Sequence, residues 1–224
     1  PTSGSDFSFS VALTPPYSLF DGVDYENLAV DRTSATYQSE LERKHKWIEY
    51  NKWKFTSRTY TSLTGGAKHR LVLMTRMDFG LLGHYNKYKK SPFETFFMGG
   101  DGMSGGSYTY ATEIIGLRGY DNGSLTPYSD GYAYTRMAAE LRYPLMMQSS
   151  TTIYALAFLE AGNAWTSISK FNPFDLKRSA GVGVRVFLPM IGLMGIDWGY
   201  GFDPVNGSKQ YSGSQVHFIL GQEF

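Results

Sequence analysis

Apolar and polar residues alternate along eight segments of this chain, and the alternation has a period of two residues. Such a period places successive side chains on opposite faces of a β-strand. Between residues 132 and 143, for example, Met137 and Leu141 face one side, while Arg136, Glu140 and Arg142 face the other. In each segment one face is almost free of charge, and the other carries the ionisable residues. The predicted strands are Asp6–Thr14, Trp47–Thr61, Arg70–Leu82, Tyr132–Tyr143, Thr152–Trp165, 181–188, 195–202 and Gln215–Phe224.

The connections between these segments alternate in length. Short links occupy residues 62–68, 144–151 and 189–190, whereas long links occupy residues 15–46, 83–130, 166–177 and 203–214. Short turns at one end and long loops at the other are typical of an up-and-down outer-membrane barrel. Because the number of strands is even, both termini are expected at the short-turn, periplasmic end. Within the first long link, Glu40–Lys44 permits a short helix, but we interpret this segment as an ordered surface loop.

Two kinds of all-β fold contain strands of this type, a soluble sandwich and a membrane barrel. In a soluble sandwich, the charged face is the outside of the molecule. Here the charged face is also rich in glycine, which suits side chains crowded into a narrow lumen. The apolar face carries aromatic residues near its ends, as membrane girdles do, at Tyr143, Trp198, Tyr200 and Phe224. We therefore predict an all-β, transmembrane, antiparallel up-and-down β-barrel with eight strands in this chain.

Composition narrows the classes of function. The formal net charge is only +1, so there is no electrostatic argument for a nucleic-acid partner. The four histidines and the absence of cysteine offer neither a zinc site nor a disulfide framework. No run of eighteen apolar residues is present, which excludes a transmembrane helix. The chain begins at Pro1 without a methionine or a leader pattern, and we expect it to be a piece of a longer protein.

One arginine lies among small residues in the glycine-rich stretch 99–130. If this loop folds inward, Arg118 needs an anionic partner. Glu140 and Glu160 stand at matching places in the next two predicted strands, and strand parity turns both of them inward. The loop is then a latch inside the lumen, fixed by charge-assisted hydrogen bonds. The alternative is an arginine that remains solvated in a surface loop.

Several motifs resemble those of the BamA family, the bacterial surface antigens that insert other barrels into the outer membrane. The motifs lie between residues 116 and 224, and the preceding residues fit the family by topology. The resemblance implies that Arg118, Gly119 and Tyr120 form the loop motif of that family, whose arginine meets acids on neighbouring strands. The matching stretches are Gly116-Leu117-Arg118-Gly119-Tyr120, Ala138–Leu141, Phe158–Trp165, Arg178–Gly183 and Phe218–Phe224.

The resemblance also implies a domain arrangement and a function. The family barrel has sixteen strands, and residues 1–224 would supply the last eight as a C-terminal β-barrel fragment. The N-terminal POTRA domains and the first barrel half would then be absent. The implied function is the folding and insertion of β-barrel proteins into the bacterial outer membrane, without a chemical reaction or a cofactor. The implied partners are outer-membrane lipid, unfolded outer-membrane protein clients and accessory assembly lipoproteins. A passive small eight-stranded barrel or pore with a structural role is the alternative.

The last predicted strand has the form of a terminal assembly signal. Val216, Phe218, Leu220 and Phe224 share its apolar face, and bacterial outer-membrane proteins commonly end on such an aromatic residue. Gln222 interrupts the row of apolar residues. A generic last strand would carry the same pattern, so this alternative stays open.

Candidate catalytic and metal-binding groups are few, and none forms a recognisable site. His217 and Glu223 share the inward face of the last strand, but no serine nucleophile accompanies them. Asp197, with Glu140 and Glu160, is expected to form salt bridges with Arg136, Arg142 and Arg185 rather than to bind a metal. The glycines at 99–102 lack the lysine of a phosphate-binding loop. We therefore expect no enzyme activity.

Overall fold

The computed structural model describes residues 2–65, 70–103, 113–126, 131–148, 151–189 and 192–221. The strands are β1 Gly4–Leu13, β2 Asn51–Ser62, β3 Val72–Gly83, β4 Phe96–Met98, β5 Glu113–Ile115, β6 Ala133–Met147, β7 Thr152–Trp165, β8 Lys177–Leu188, β9 Gly192–Pro204 and β10 Tyr211–Leu220. A single α-helix, α1, spans Tyr37–His45 within the described residues, and short 3₁₀ turns occupy Tyr17–Leu19 and Ile168–Lys170. Among these residues, no helix has the length and apolarity needed to cross a membrane.

Eight of the strands form one sheet in the order β1-β2-β3-β6-β7-β8-β9-β10. Each strand is antiparallel to its neighbours, and neighbours in the sheet follow one another along the chain apart from β4 and β5. This arrangement confirms the predicted all-β, up-and-down class. The sheet is open, because within the described residues β1 pairs only with β2 and β10 only with β9. The eight strands therefore form a barrel wall with two edges.

The two faces of this wall have opposite solvent preferences. On the face that we call the outer face, large apolar side chains are exposed, for example Leu159 at 64% and Val182 at 53%. On the inner face, ionisable side chains are buried, for example Glu140 at 1% and Asp197 at 0%. A soluble domain would show the reverse, since charged side chains are seldom fully buried and wide apolar surfaces are seldom left in water. The outer face is therefore a lipid-facing surface, as strand parity predicted.

The long connection between β3 and β6 folds back against the inner face. The short strands β4 and β5 within it pair in parallel. Its apolar side chains pack with Leu82 of β3, Tyr134 of β6 and Ala164 of β7 in one buried cluster. The members from the connection are Phe96, Met98, Ile115, Leu117, Tyr120 and Leu125. The described part of the connection thus packs against the inner face of β3, β6 and β7.

The helix α1 corrects the interpretation of this segment as a loop. Glu40 in its first turn accepts hydrogen bonds from the Thr36 hydroxyl (2.7 Å) and from the backbone N–H of Ala29 (2.9 Å). Lys44 donates to the carbonyl oxygen of Leu28 (3.0 Å). These contacts fix both ends of the segment, and its last turn holds basic residues, which the helix dipole favours.

Several strand boundaries also differ from the predictions; β6, for example, extends to Met147 rather than ending at Tyr143. The second strand begins at Asn51 rather than at Trp47, because Glu49 turns aside to accept a hydrogen bond from the backbone N–H of Ser18 (2.8 Å). The last connection covers only residues 205–210, since β9 extends to Pro204 and pairs there with Tyr211. This link is therefore shorter than the predicted 203–214.

The assignment of the two faces can be tested with single cysteines, because the chain has no native cysteine. Cysteines at Met137 and Val184, on the outer face, should react with a lipid-soluble maleimide in vesicles. Cysteines at Ala138 and Ser179, which are 7% and 2% exposed on the inner face, should be protected from it. These inner positions are small and uncharged, so the substitution removes no ion pair. The opposite labelling pattern would mean that the faces are inverted.

Candidate functional site

The strongest candidate for a functional site is the buried segment 116–120 of the long connection. Leu117, Arg118 and Tyr120 are all 0% exposed, and Leu117 exchanges backbone hydrogen bonds with Gly100. Gly119 has a φ of +83°, a left-handed conformation that favours glycine. This conformation turns the chain so that the side chains on either side of Gly119 both enter the packed interior. We call residues 116–120 the latch segment.

Arg118 contacts acids on three different strands. Its Nε donates to Glu160 Oε1 of β7 at 3.0 Å, and its Nη2 bonds the same oxygen at 2.6 Å. Nη2 also lies 2.5 Å from Glu140 Oε1 of β6, and Nη1 lies 3.0 Å from Asp197 Oδ2 of β9. The backbone N–H of Arg118 donates to the second oxygen of Glu160 at 2.8 Å. The guanidinium therefore connects β6, β7 and β9 through one side chain.

Two further arginines compensate the acids that Arg118 contacts. Arg142 bonds Glu140 Oε2 at 2.8 Å, and Arg185 bonds both carboxylate oxygens of Asp197. Arg118, Arg142 and Arg185 thus face Glu140, Glu160 and Asp197, so the charges in this set cancel. We call these six residues the lumen network. Cancellation matters because an uncompensated charge buried in a low-dielectric interior is strongly unfavourable.

The latch segment also meets the wall through neutral contacts. The Arg118 guanidinium carbon lies 3.7 Å from the centre of the Phe158 ring, a cation–π arrangement. The backbone N–H of Gly119 donates to Nε2 of His217 on β10 at 2.9 Å. The Tyr120 hydroxyl donates to the carbonyl oxygen of Arg178 on β8 at 2.8 Å. Burial raises the pKa of Tyr120 to about 12, so the phenol keeps its proton for this bond at neutral pH.

A second ion-pair group holds the start of the latch segment. Asp78 of β3 accepts hydrogen bonds from Arg76 at 2.6 Å and from Arg136 of β6 at 2.6 and 2.8 Å. Arg136 also donates to the carbonyl oxygen of Gly116 at 2.7 Å. Taken with the contacts of residues 118–120, the latch segment is bonded to β6, β7, β8, β9 and β10.

Gly119 lies close to the backbone of β9. A Cβ atom at this position would lie 2.9 Å from Ser179 Cβ and 3.0 Å from the backbone nitrogen of Gly201. A Cβ at Gly199 or Gly201 would in turn lie 2.8 or 2.4 Å from the backbone of Gly119. The glycines on the inner face of β9 therefore allow the latch segment to pack directly against the wall. This close approach explains why the charged face is rich in glycine.

The structure brings together the residues that the sequence singled out around Arg118. Arg118 lies against both Glu140 and Glu160, and its burial excludes the alternative of a solvated loop arginine. Asp197 was expected to pair with an arginine, but its contact with Arg118 was not anticipated. The alternation of β9 places Asp197 on the inner face, and no other feature of the sequence indicates that it contacts Arg118.

Other predicted positions fall as follows. Arg142 and Arg185 pair with the expected acids, whereas Arg136 pairs with Asp78, which lies directly opposite it on the neighbouring strand β3.

Of the predicted terminal signal, Val216, Phe218 and Leu220 are exposed on the outer face, and Phe224 lies outside the described residues. His217 accepts a hydrogen bond from the latch segment, and Glu223 lies outside the described residues.

The described part of the chain holds no group of three or more histidine, cysteine or acidic residues arranged to bind a metal ion. The acids of the lumen network are instead occupied by arginines. The geometry therefore supports a mechanical role for the site, in which a loop is fixed inside a wall of strands.

Antiparallel up-and-down strands with a lipid-facing outer surface and a charged inner surface are typical of outer-membrane β-barrel proteins. A protein-family model described as the Omp85 superfamily domain matches residues 1–224, so this chain belongs to the Omp85 superfamily. Members of this superfamily are outer-membrane β-barrel proteins that take part in outer-membrane protein biogenesis or transport. A comparison with curated proteins finds no match to the chain.

Removing the Arg118 side chain should destabilise the protein by about 3–5 kcal/mol, because carboxylates would be left buried without compensation. Glu160 should account for most of this loss. Glu140 keeps Arg142 and Asp197 keeps Arg185, whereas the hydrogen bonds that Glu160 accepts within the described residues all come from residue 118. The free energy of unfolding in vesicles measures the effect. As a matched control, Arg178→Ala should change it little, because Arg178 is 67% exposed in its pair with Asp203.

A double-mutant cycle tests the origin of this loss. Glu160→Gln removes the charge that Arg118→Ala leaves behind, so the double variant should lose less stability than the sum of the two single variants. We expect a coupling of about 1–3 kcal/mol between these positions. Additive losses would show that Arg118 and Glu160 do not stabilise one another.

Gly119→Ala should lower the unfolding free energy more than Gly207→Ala. Both glycines have positive φ, +83° and +79°, so each alanine carries a conformational cost of about 1–2 kcal/mol. Only at Gly119 does the added Cβ also meet neighbouring atoms, whereas nothing lies within 4 Å at Gly207. Equal losses in the two variants would contradict the close packing of the latch segment on β9.

Proposed function

We propose that this chain forms the C-terminal part of the barrel of a BamA-like assembly factor, which folds β-barrel proteins and inserts them into the bacterial outer membrane. The superfamily membership supports the general role, and the Arg-Gly-Tyr sequence at Arg118–Tyr120 supports the more specific one. The observation that carries the proposal is the burial of Arg118 among acids of three strands.

The mechanism follows from what the latch segment holds and what it leaves free. It is bonded to the wall from β6 to β10, including the last strand through His217. The backbone of β10 is paired with β9 on one side, and its other edge is unpaired in the described part of the sheet. Unpaired strand edges form hydrogen bonds with other strands readily. The latch segment thus keeps the wall in position while the edge of β10 exchanges partners with a client strand.

The proposal includes no chemical reaction and no cofactor. Its partners are outer-membrane lipid, unfolded outer-membrane protein clients and, for the longer protein of which this chain would be the C-terminal β-barrel fragment, accessory assembly lipoproteins. POTRA domains and a first barrel half would precede residue 1, and both ends of the chain would lie on the periplasmic side. At one end of the sheet the connections are 63–71, 148–151 and 189–191, and at the other they are 14–50, 84–132, 166–176 and 205–210. The first set is shorter taken together, which supports this orientation because periplasmic turns of such barrels are short.

The second candidate function is a passive small barrel or pore made of eight strands. It would require β1 to pair with β10, and the described residues of these strands pair only with β2 and β9. An open wall agrees better with a unit that other strands complete. This observation favours the assembly factor.

The proposal can be tested with the full-length protein reconstituted in vesicles, by following the folding of a client barrel. Arg118→Ala should lower the rate of client insertion by about tenfold or more, since a lost coupling of ~1.4 kcal/mol already corresponds to a factor of ten. The barrel itself should remain folded, which heat-modifiable migration on gels can verify. Arg118→Lys, which keeps the charge but loses the planar fork, should give an intermediate rate and serves where the alanine variant fails to fold.

Arg178→Ala is the matched control, because it removes an exposed arginine from the same wall and should insert clients at the unmodified rate. If Arg118→Ala folds and inserts clients as fast as this control, the latch role is wrong. A passive barrel would show no client insertion with any of these variants.

A further inference from the structure

The first long connection, between β1 and β2, presents apolar side chains at the rim of the wall. Its two ends run beside each other, because the backbone N–H of Thr14 donates to the Tyr50 carbonyl (3.1 Å) and the N–H of Tyr50 donates to the Thr14 hydroxyl (2.7 Å). These bonds continue the β1–β2 ladder by one pair. Beyond them, the rings of Tyr17 and Trp47 lie with their centres 5.4 Å apart.

One side of this connection is attached to the long loop that packs against the inner face of the wall. Glu49, which is 1% exposed, lies 3.6 Å from the ammonium group of Lys89 in the β3–β6 connection. Lys89 also donates to the hydroxyl of Tyr25 at 3.1 Å, and Tyr25 is only 4% exposed. The buried, polar side of the connection therefore faces the inside of the wall.

The other side carries exposed apolar groups. Phe20 is 82% exposed, Leu19 62% and Trp47 54%, which are high values for side chains of this size. On the outer face of β1, Leu13 is the last residue of the strand and is 62% exposed, and Tyr17 follows it by four residues. The exposed apolar side of the connection thus begins next to the lipid-facing surface of β1.

The aromatic pair Tyr17 and Trp47 lies near the strand ends, since Tyr17 follows the end of β1 at Leu13 by four residues. Trp47 lies four residues before the start of β2 at Asn51, so it lies within about 13 Å of the strand end. Lys46 beside it is exposed, with its ammonium group 6.0 Å from the centre of the Trp47 ring. Tryptophan and tyrosine rings are favoured at the headgroup level, where a lysine reaches lipid phosphates. We call Tyr17, Leu19, Phe20, Lys46 and Trp47 the rim patch.

We propose that the rim patch binds the lipid leaflet on the long-loop side of the membrane, with Lys46 contacting the phosphate of an anionic lipid. Phe20 and Leu19 enter the boundary between headgroups and acyl chains, and the rings of Tyr17 and Trp47 lie at headgroup level. The patch anchors the β1–β2 connection to the membrane, while Glu49 and Lys89 attach it to the loop inside the wall. This inference is independent of client insertion.

Single-cysteine variants of the reconstituted protein test the location of the patch. Phe20→Cys is labelled with the fluorophore nitrobenzoxadiazole in vesicles that contain phospholipids with a nitroxide near the headgroup. The label at position 20 should be quenched by this lipid and shielded from aqueous iodide, and a label at Val184 on the outer face should behave in the same way. Lys209→Cys, at an exposed position in the 205–210 connection, is the aqueous control and should show the reverse.

The charge contribution is tested in the same labelled protein. A nitroxide lipid with an anionic headgroup should quench position 20 more strongly than a zwitterionic one, by about twofold or more. Lys46→Glu should abolish this difference, and Lys209→Glu should leave it unchanged. If Lys46→Glu leaves the preference for anionic lipid intact, Lys46 is not the phosphate contact.

Two results would overturn the proposal as a whole. Quenching of position 20 by iodide but not by lipid would mean that the patch lies in water. Protection from both quenchers would mean that protein covers it, either a second copy of this chain or another partner.

Discussion

The burial of the Arg118 charge is the constraint on which the rest of the interior depends. A guanidinium that is 0% exposed must be compensated, and compensation here takes carboxylates from β6, β7 and β9 at once. Those strands can supply them only when their registers bring the three inner-face positions to one height. Conversely, the acids are themselves buried and need the arginine. Loop position and strand register are therefore mutually dependent, and the glycines of β9 allow the close approach that both require.

This dependence links the interior of the wall to its edge. Gly119 follows Arg118 directly, and its N–H bonds His217 on β10, the last strand of the sheet. A displacement of Arg118 would therefore also move the hydrogen bond to β10. Within the described sheet, this edge strand has a neighbour on one side only. A protein that exchanges strand partners at an edge needs the remaining wall to stay in place. The lumen network supplies this rigidity without using the backbone hydrogen bonds of the edge itself.

The sequence was sufficient to predict the eight strands of the wall, their order and their faces, but not the short strands β4 and β5. Period-two alternation determines which side of the sheet a residue faces, and so it placed Glu140 and Glu160 on the inner face. Arg118 lies in a loop without this period, and its pairing with them depended on the loop folding inward. Parity does not determine the height of a residue relative to a distant strand. The contact of Arg118 with Asp197, 79 residues away, depends on the registers of every strand between β6 and β9. The pairing of Arg136 with Asp78 depends in the same way on the register of β3 against β6.

The sequence pattern did not predict the correct secondary structure in two segments whose conformation depends on contacts with other parts of the chain. The helix α1 is stabilised through Leu28 and Ala29, which precede it in an irregular segment without periodicity. The strand β2 begins four residues later than predicted because Glu49 contacts Ser18 and Lys89 instead of continuing the strand. Both segments lie in the first long connection, where no sheet pairing enforces a period. The predictions were thus reliable for the wall and weaker for the loops at its rim.

The central claim is that Arg118 holds the latch segment against the last strands, and a distance measurement in the membrane tests it most directly. Spin labels at Asp121, just after the latch segment, and at Lys209, in the connection before β10, are both at exposed positions. Pulsed electron–electron double resonance should give one narrow distribution of distances between the two labels, both in the otherwise unmodified protein and in Arg178→Ala. Arg118→Ala should broaden that distribution. An unchanged narrow distribution in Arg118→Ala would contradict the claim that the buried ion pairs of Arg118 position the latch segment.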